Sequence, residues 1–143
     1  MDRALRQARL AAERGEVPIG AVIVGPDGTL LAEAGNRTEV DRDPTAHAEM
    51  LAIRAAASRL SASRLVGCDL HVTLEPCPMC AQAISFARIR RVYYGASDPK
   101  GGGIEHGPRI FSQPTCHHRP EVYGGFEEVR AGELLRDFFR ARR

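Results

Sequence analysis

The chain is of moderate length and nearly neutral. Its 143 residues fit one domain and are enough to bury a sizeable core. A hydrophobic fraction of 43% and a charged fraction of 27% are ordinary for a globular protein, and a net charge of +2 gives by itself no case for nucleic acid binding. No apolar run approaches the roughly 20 residues of a membrane-spanning helix, and the first residues lack the apolar core of a signal peptide. We therefore expect a cytoplasmic protein without membrane contact, and the cysteine content agrees with a reducing compartment.

The first part of the chain predicts a helix, a β-hairpin and a second helix. These elements are a helix over 2–14, strands over 19–24 and 29–34, and a helix that begins near residue 46. The turn-forming run Gly25–Gly28 separates the two strands and favours their antiparallel pairing. Asp43 or Thr45 is the expected N-cap of the second helix. The expected core stripe of that helix comprises Ala46, Met50, Ile53, Ala57 and Leu60.

The second part predicts alternating strands and helices. They are a strand over 69–74, a helix over 78–87, a strand over 91–95, a loop over 97–103, a short strand over 121–123 and a helix over 126–141. This order implies an α/β sandwich with at least partly parallel strands. Gly101–Gly103 lacks the context of a phosphate-binding loop, so we expect a flexible connection there. Adjacent side chains splay apart, which argues against a compact metal site at Cys116–His118. His71 is expected to be a packed or hydrogen-bonded core residue.

His47, Cys77 and Cys80 are the candidate metal ligands. A catalytic zinc ion takes three protein ligands and keeps one position for water, and one imidazole with two thiolates meets that need. The two cysteines are three positions apart and therefore face the same way on a helical turn. Pro78 fits the first helical position, and the free amides and dipole of a helix N-terminus favour thiolate over thiol.

Glu49 lies two residues after His47, so it need not be a ligand. Zinc lowers the pKa of a water molecule from about 15.7 towards 7, and a neighbouring carboxylate then acts first as general base and later as general acid. A structural zinc site would be closed by a fourth ligand, which Cys68 or Cys116 could in principle supply, but Cys68 lies before a strand and the chain has no second C-x-x-C. A redox C-x-x-C pair would leave His47 and Glu49 without a role. The sequence therefore favours a catalytic site.

The pattern H-x-E … P-C-x-x-C that these residues form is an already described signature of zinc nucleobase deaminases. Further runs resemble the bacterial tRNA-specific adenosine deaminases: Gly15–Val22, Asn36-Arg37, Asp43–Glu49, Val72–Cys77, Met79-Cys80, Arg88-Ile89, Tyr94–Ala96, Asp98 and Asp137–Arg140. The resemblance covers nearly the whole chain. It departs from the family pattern at Lys100–His106 and at Gln113–Gly125.

The resemblance implies one cytidine deaminase-like domain over 1–143, a three-layer α/β/α sandwich with a five-stranded mixed sheet. It implies a homodimer with one Zn²⁺ per subunit that binds a tRNA anticodon stem-loop and converts the wobble adenosine of an arginine tRNA to inosine. Glu49 would be the catalytic acid and base, and either Ala48 or Cys77 would offer a backbone amide to the new oxygen. The implied substrate contacts are Asn36 to the base, Ala48, Asp98 to a ribose, and Phe138, Phe139 and Arg140 to the anticodon loop.

Two other functions stay open at this point. The same chemistry would suit a deaminase of a free nucleobase such as guanine or cytosine, and a zinc-stabilised RNA-binding module would not need Glu49. Arginines gather at the C-terminus, where they form either a solvated helix end or a track for phosphates. Of the adjacent Phe138 and Phe139, only one can point fully inward, which leaves the other to stack on a base.

Overall fold

The computed structural model describes all residues from Met1 to Arg143 and contains one five-stranded sheet. The helices are α1 Asp2–Glu13, α2 Ala48–Leu60, α3 Pro78–Phe86 and α4 Glu128–Arg140. The strands are β1 Gly20–Val24, β2 Leu30–Gly35, β3 Asp69–Leu74, β4 Arg91–Ala96 and β5 Glu121–Tyr123. None of the helices combines the length and the apolar character that crossing a membrane requires.

The sheet has the strand order β2-β1-β3-β4-β5 and mixes both pairing modes. Strand β1 pairs antiparallel with β2 and β3, while β3, β4 and β5 run parallel to one another. Helices α2 and α3 pack on one face, where the main apolar cluster lies, and α1 and α4 pack on the other. The predicted α/β sandwich with a mixed five-stranded sheet is confirmed. Because β3 and β4 are parallel, their carboxyl ends meet at one edge of the sheet, and the chain enters α3 from that edge.

Helix α2 begins later than the capping pattern predicted. Asp43 closes a separate turn, in which its carboxylate accepts hydrogen bonds from the amide and hydroxyl of Thr45 at 2.8 and 2.7 Å. The N-cap is His47, so the prediction that Asp43 or Thr45 caps the helix was wrong. The predicted stripe was also displaced: Leu60 is 44% exposed, and the buried face consists of Ala48, Glu49, Ala52 and Ala56. An alanine-rich helix has apolar residues on more than one face. The face with the smallest side chains is buried, because it allows the helix to approach the sheet most closely.

The glycine-rich segment after β4 is packed against the rest of the protein. Gly102 and Gly103 are buried, and the Gly103 amide donates to the carbonyl oxygen of Pro76 at 2.8 Å. The Ile110 amide donates in turn to the carbonyl oxygen of Gly103 at 2.8 Å. The expectation of a flexible connection at Gly101–Gly103 was therefore wrong. The segment needs glycines because it lies directly on the chain that enters α3.

The segment around Cys116–His118 supports the end of α3. The Ser85 hydroxyl donates to the carbonyl oxygen of His118 at 2.7 Å, and the His118 ring donates through Nε2 to the carbonyl oxygen of Ile89 at 2.7 Å. Cys116 is buried against Ser85, whereas His117 points to solvent. His71 is half-buried and stacks on Tyr93 with ring centroids 4.7 Å apart. His118 and His71 therefore make structural contacts, and the stacking of His71 on Tyr93 agrees with its expected packing.

Candidate active site

The N-termini of α2 and α3 converge on one point. His47 caps α2 and Cys77 caps α3, both in extended conformations, and Pro78 takes the first position of α3. The Nδ1 atom of His47 lies 3.6 Å from Sγ of Cys77 and 3.5 Å from Sγ of Cys80. All three candidate ligand atoms lie within 4.8 Å of one another. The predicted convergence of two helix ends is confirmed.

The geometry of these three atoms fits a zinc ion. A tetrahedral ion with Zn–S bonds of about 2.3 Å and Zn–N bonds of about 2.0–2.1 Å holds neighbouring sulfur and nitrogen ligands about 3.6 Å apart. The separations in the structure match this value before any rearrangement. Neither Cys68 nor Cys116 belongs to the cluster, and no second cluster of this kind exists. With three protein ligands, the centre keeps one coordination position for a water molecule.

The charges of the ligands are arranged before a metal binds. Hydrogen bonds from the Cys80 thiol and from His47 lower the pKa of Cys77 to about 4, although its burial acts in the opposite direction. The same hydrogen bond to Cys77 raises the pKa of Cys80, and the hydrogen bond with Cys77 raises the pKa of His47. The low pKa of Cys77 favours a thiolate there, and the proton held by the Cys80 thiol is released when a divalent cation takes its place.

Glu49 lies in the first turn of α2 and is 4% exposed. Burial raises the pKa of Glu49 to about 7, and the negative charge of Cys77 adds to this effect. A carboxyl group with a pKa near neutrality can both accept and donate a proton at physiological pH, which is the requirement for a general acid and base. The structure places this group beside the candidate metal ligands.

The orientation of Asn36 is fixed by α2. Its Oδ1 atom accepts a hydrogen bond from the Ala48 amide at 2.9 Å, and the residue is 5% exposed. The amide oxygen is thereby committed, which leaves the Nδ2 group as a donor. The Ala48 amide is committed as well, whereas the Cys77 amide makes no hydrogen bond within the chain. Of the two amides predicted to bind the new oxygen, that of Cys77 is free and that of Ala48 is engaged by Asn36, and the role of either one stays a prediction.

Asp98 and Phe139 line one groove, whose lining does not include the metal ligands. The groove has a volume of about 510 Å³, and its walls include Ile19, Leu74 and Leu135. It begins at the carboxyl end of β3, the strand that leads into the cysteine helix. A second cavity of about 710 Å³ adjoins it at Phe139, and basic side chains dominate its lining: Lys100, Arg136, Arg140, Arg142 and Arg143. The groove and the adjoining basic cavity together suit a ring system that carries phosphate groups.

Phe138 and Phe139 point in different directions. Phe139 is 48% exposed, whereas Phe138 is 8% exposed, with the guanidinium carbon of Arg142 3.5 Å from its ring centroid. The ring of Phe138 is buried and covered by a cation–π contact, so its predicted substrate contact would require the Arg142 side chain to move and stays a prediction. The side chain of Arg140 is 75% exposed and lies 3.8 Å from Asp137, an arrangement that leaves it free for other anions.

The sequence analysis did not identify two buried carboxylates, because a glutamate gives no sign of its burial. Glu16 is 1% exposed and accepts the amides of Glu39 and Val40 at 2.9 and 2.8 Å, which fastens the loop before His47. Glu75 is 2% exposed and binds the segment that follows β4. In a single sequence, an acid that accepts backbone amides looks like any surface acid. The one signal that could have identified them is their position within runs that resemble the family, beside Val17-Pro18 and Pro76-Cys77.

Comparisons with known proteins agree with this geometry. The family model for the cytidine and deoxycytidylate deaminase zinc-binding region matches residues 1–96. The tRNA-specific adenosine deaminase of Agrobacterium fabrum is 62% identical over all of this chain and 93% of that protein. A solved structure from work on A-to-I editing by tRNA:A34 deaminases at the wobble position has a TM-score of 0.93 and 61% identity, covering 94% of this chain and 97% of that chain. The structure of a Bacillus subtilis guanine deaminase has a TM-score of 0.67 and 34% identity, covering 95% and 90%.

A three-ligand zinc centre beside a buried glutamate, on this sheet, defines a zinc-dependent hydrolytic deaminase of the cytidine deaminase type. At full-length identities of this size, the chain belongs to the family of tRNA-specific adenosine deaminases.

Zinc content tests the ligand set directly. Cys77→Ser and His47→Ala should each lower the zinc content from about one ion per chain to near zero, because two remaining ligands hold the ion too weakly. Cys68→Ser and Cys116→Ser serve as controls, because both residues lie outside the cluster, and they should retain the metal. The measurement is elemental analysis after gel filtration. Zinc retained in Cys77→Ser or lost in Cys68→Ser would contradict the assignment.

Proposed function

We propose that this chain hydrolyses the wobble adenosine in the anticodon of an arginine tRNA to inosine. The observation that carries the proposal is the buried carboxyl of Glu49 beside three ligand atoms at zinc-binding distances. The names of relatives that match this chain along all or nearly all of its length support adenosine in tRNA as the substrate. A base in an anticodon loop is already partly unstacked, so its entry into a pocket costs little free energy.

Glu49 moves the protons of this reaction. Zinc held by His47, Cys77 and Cys80 supplies a Lewis acid that lowers the pKa of water towards 7. Glu49 takes one proton from the attacking water molecule and delivers it to N1 of the adenine. Once the water oxygen is bonded to C6, Glu49 carries the second proton to the exocyclic nitrogen, the C6–N6 bond breaks and ammonia leaves. Adenosine and one water molecule thus become inosine and ammonia.

The remaining residues bind and orient the nucleotide. The Nδ2 group of Asn36 donates to the base, since Oδ1 is engaged by α2. The free amide of Cys77 is the donor available to the oxygen that forms at C6. Asp98 lies at the groove for a ribose hydroxyl, and Phe139 offers an exposed ring on which a neighbouring base stacks. Arg140 meets the phosphate backbone from the adjoining basic cavity.

The domain over 1–143 acts, in this proposal, as one subunit of a cytoplasmic homodimer. The support is the outer side of α3, where Phe86 is 70% exposed and lies next to half-buried Gln82 and Ala83. A large apolar side chain exposed to this degree on the helix that holds the metal suits contact with a second copy.

The first experiment measures wobble deamination. The zinc-loaded protein is incubated with an arginine tRNA anticodon stem-loop that has adenosine at the wobble position, and the RNA is sequenced. We expect inosine at that position. Glu49→Ala should lower kcat at least about a thousandfold while zinc stays bound, because only the proton carrier is removed.

Free adenosine, guanine, cytosine and cytidine are run in parallel, with ammonia as the readout. Guanine is the sharpest competitor, because a guanine deaminase shares this fold at 34% identity. Ammonia from a free base with the stem-loop unchanged would overturn the tRNA proposal. Full activity in Glu49→Ala would overturn the mechanism.

Phe139→Ala tests the stacking contact. Loss of a base–aromatic contact should raise KM for the stem-loop about tenfold, with a smaller effect on kcat. Phe126→Ala is the matched control, since Phe126 is 45% exposed but lines neither the groove nor the basic cavity. Steady-state kinetics of both variants decide the matter, and an equal KM for the two would remove Phe139 from the proposed interface.

Phe86→Glu tests the dimer. A charge in the centre of an apolar contact should shift the protein from dimer to monomer in light scattering after gel filtration. Val129→Glu is the control, because Val129 is 64% exposed but lies on α4, which packs on the opposite face of the sheet. A wild-type monomer, or dissociation by the control alone, would refute this interface.

A further inference from the structure

The carboxylate of Glu75 lies between the end of β3 and the beginning of α3, and it takes no part in the proton transfers described above. Glu75 is 2% exposed. A carboxylate buried to this degree is unfavourable unless hydrogen bonds replace its lost water. Those bonds come from one segment, residues 98–106, which we call the Asp98 loop.

Five donors of the Asp98 loop surround the carboxylate. Oε1 accepts hydrogen bonds from the Asp98 amide at 3.1 Å and from Nδ1 of His106 at 2.7 Å. Oε2 accepts the amides of Ile104, Glu105 and His106 at 3.2, 3.0 and 3.2 Å. Both ends of the loop are therefore bound to the same buried group, which closes the loop around it.

Close packing prevents the Asp98 loop from settling elsewhere. A Cβ atom on Gly102 would collide with the Glu75 carboxylate, and one on Gly103 would lie 2.5 Å from the backbone nitrogen of Pro78. The Gly103 amide also donates to the carbonyl oxygen of Pro76 at 2.8 Å. The loop therefore takes its position from Glu75 and from the backbone that leads into the cysteine helix.

The position of Asp98 follows from these contacts. Its carboxylate accepts the amides of Lys100 and Gly101 at 3.2 and 2.9 Å, which fixes the side chain relative to its own turn. Its backbone amide is held by Glu75, which fixes that turn relative to β3. Asp98 and Phe139 line the same groove, so a shift of the loop would change the width of the groove where a ribose would enter.

We propose that Glu75 and His106 are positioning residues, which hold Asp98 at the groove in the geometry that binds the RNA substrate. This inference rests on the proposed function. The Nδ1–H group of His106 closes the carboxylate shell from the solvent side, where its side chain is 36% exposed. Removal of that donor loosens the loop but leaves the metal ligands and Glu49 in place. The effect should therefore fall on substrate binding and spare the chemical step.

The test compares His106→Ala with His106→Asn on the anticodon stem-loop. The side-chain amide of asparagine can place a donor where Nδ1 lies, whereas alanine removes it. We expect His106→Ala to raise KM about tenfold, the loss of one hydrogen bond to a charged acceptor, with kcat changed less than about twofold. His106→Asn should stay near the wild-type KM. Both variants should keep about one zinc ion per chain.

Glu75→Gln provides a second variant. Its NH₂ group replaces one oxygen and faces the donors of the Asp98 loop, so Glu75→Gln should raise KM at least as much as His106→Ala. An unchanged KM in His106→Ala, or an equal rise in His106→Asn, would overturn the positioning role while the wild type still forms inosine. A fall in kcat accompanied by zinc loss would also overturn it, since that result assigns the pair to the metal site. A wild type that leaves the stem-loop untouched would overturn the proposed function itself, and this inference with it.

Discussion

The active site depends on two helices that begin at the same point. Two helix N-termini brought together place two partial positive charges side by side, which is unfavourable without negative charge between them. The thiolate of Cys77 provides negative charge, Cys80 adds a second thiolate once a cation displaces its proton, and His47 completes the ligand set from the other helix. The sulfur atoms therefore stabilise both helix N-termini and also bind the cation. The loss of one sulfur should weaken the packing of α2 against α3 as well as metal binding.

The walls of the site are held through the backbone. Glu16 fastens the loop before His47 by accepting its amides, and Glu75 does the same for the loop that carries Asp98. Bonds to main-chain groups do not depend on the side chains at Lys100, Ile104 and Glu105, so these positions can depart from the family pattern while the loop still reaches the groove. The side chain of His106 adds a donor, and Gly102 and Gly103 leave no room for a Cβ atom.

The strands and the metal site could be predicted because their signals are local. Alternation at Leu70 and Val72 marks β3, and ligand spacing with Pro78 marks the start of α3. The buried face of α2 could not be predicted, because alanines occur on several faces and only the sheet decides which of them packs closely. The choice between Phe138 and Phe139 likewise depends on the rotation of α4 against the sheet, a tertiary property.

The buried polar contacts could not be predicted from the sequence either. Gly102 is buried because Glu75 lies beneath it, and Ala48 has no free amide because Asn36 folds back onto it. Each of these facts concerns a pair of residues far apart in the chain. A single sequence shows which residues are present, but it does not show which of them contact each other in the folded chain.

The origin of the ligands also ties stability to metal supply. His47 and Cys77 are separated by 30 positions, so the unfolded chain has no preformed site and binds zinc weakly through its cysteines. A ligand that prefers the native state stabilises it by an amount that grows with its free concentration, about 1.4 kcal/mol for each tenfold rise above the dissociation constant. The fraction of unfolded chains, and with it their exposure to proteases, is therefore set in part by the free zinc around the protein.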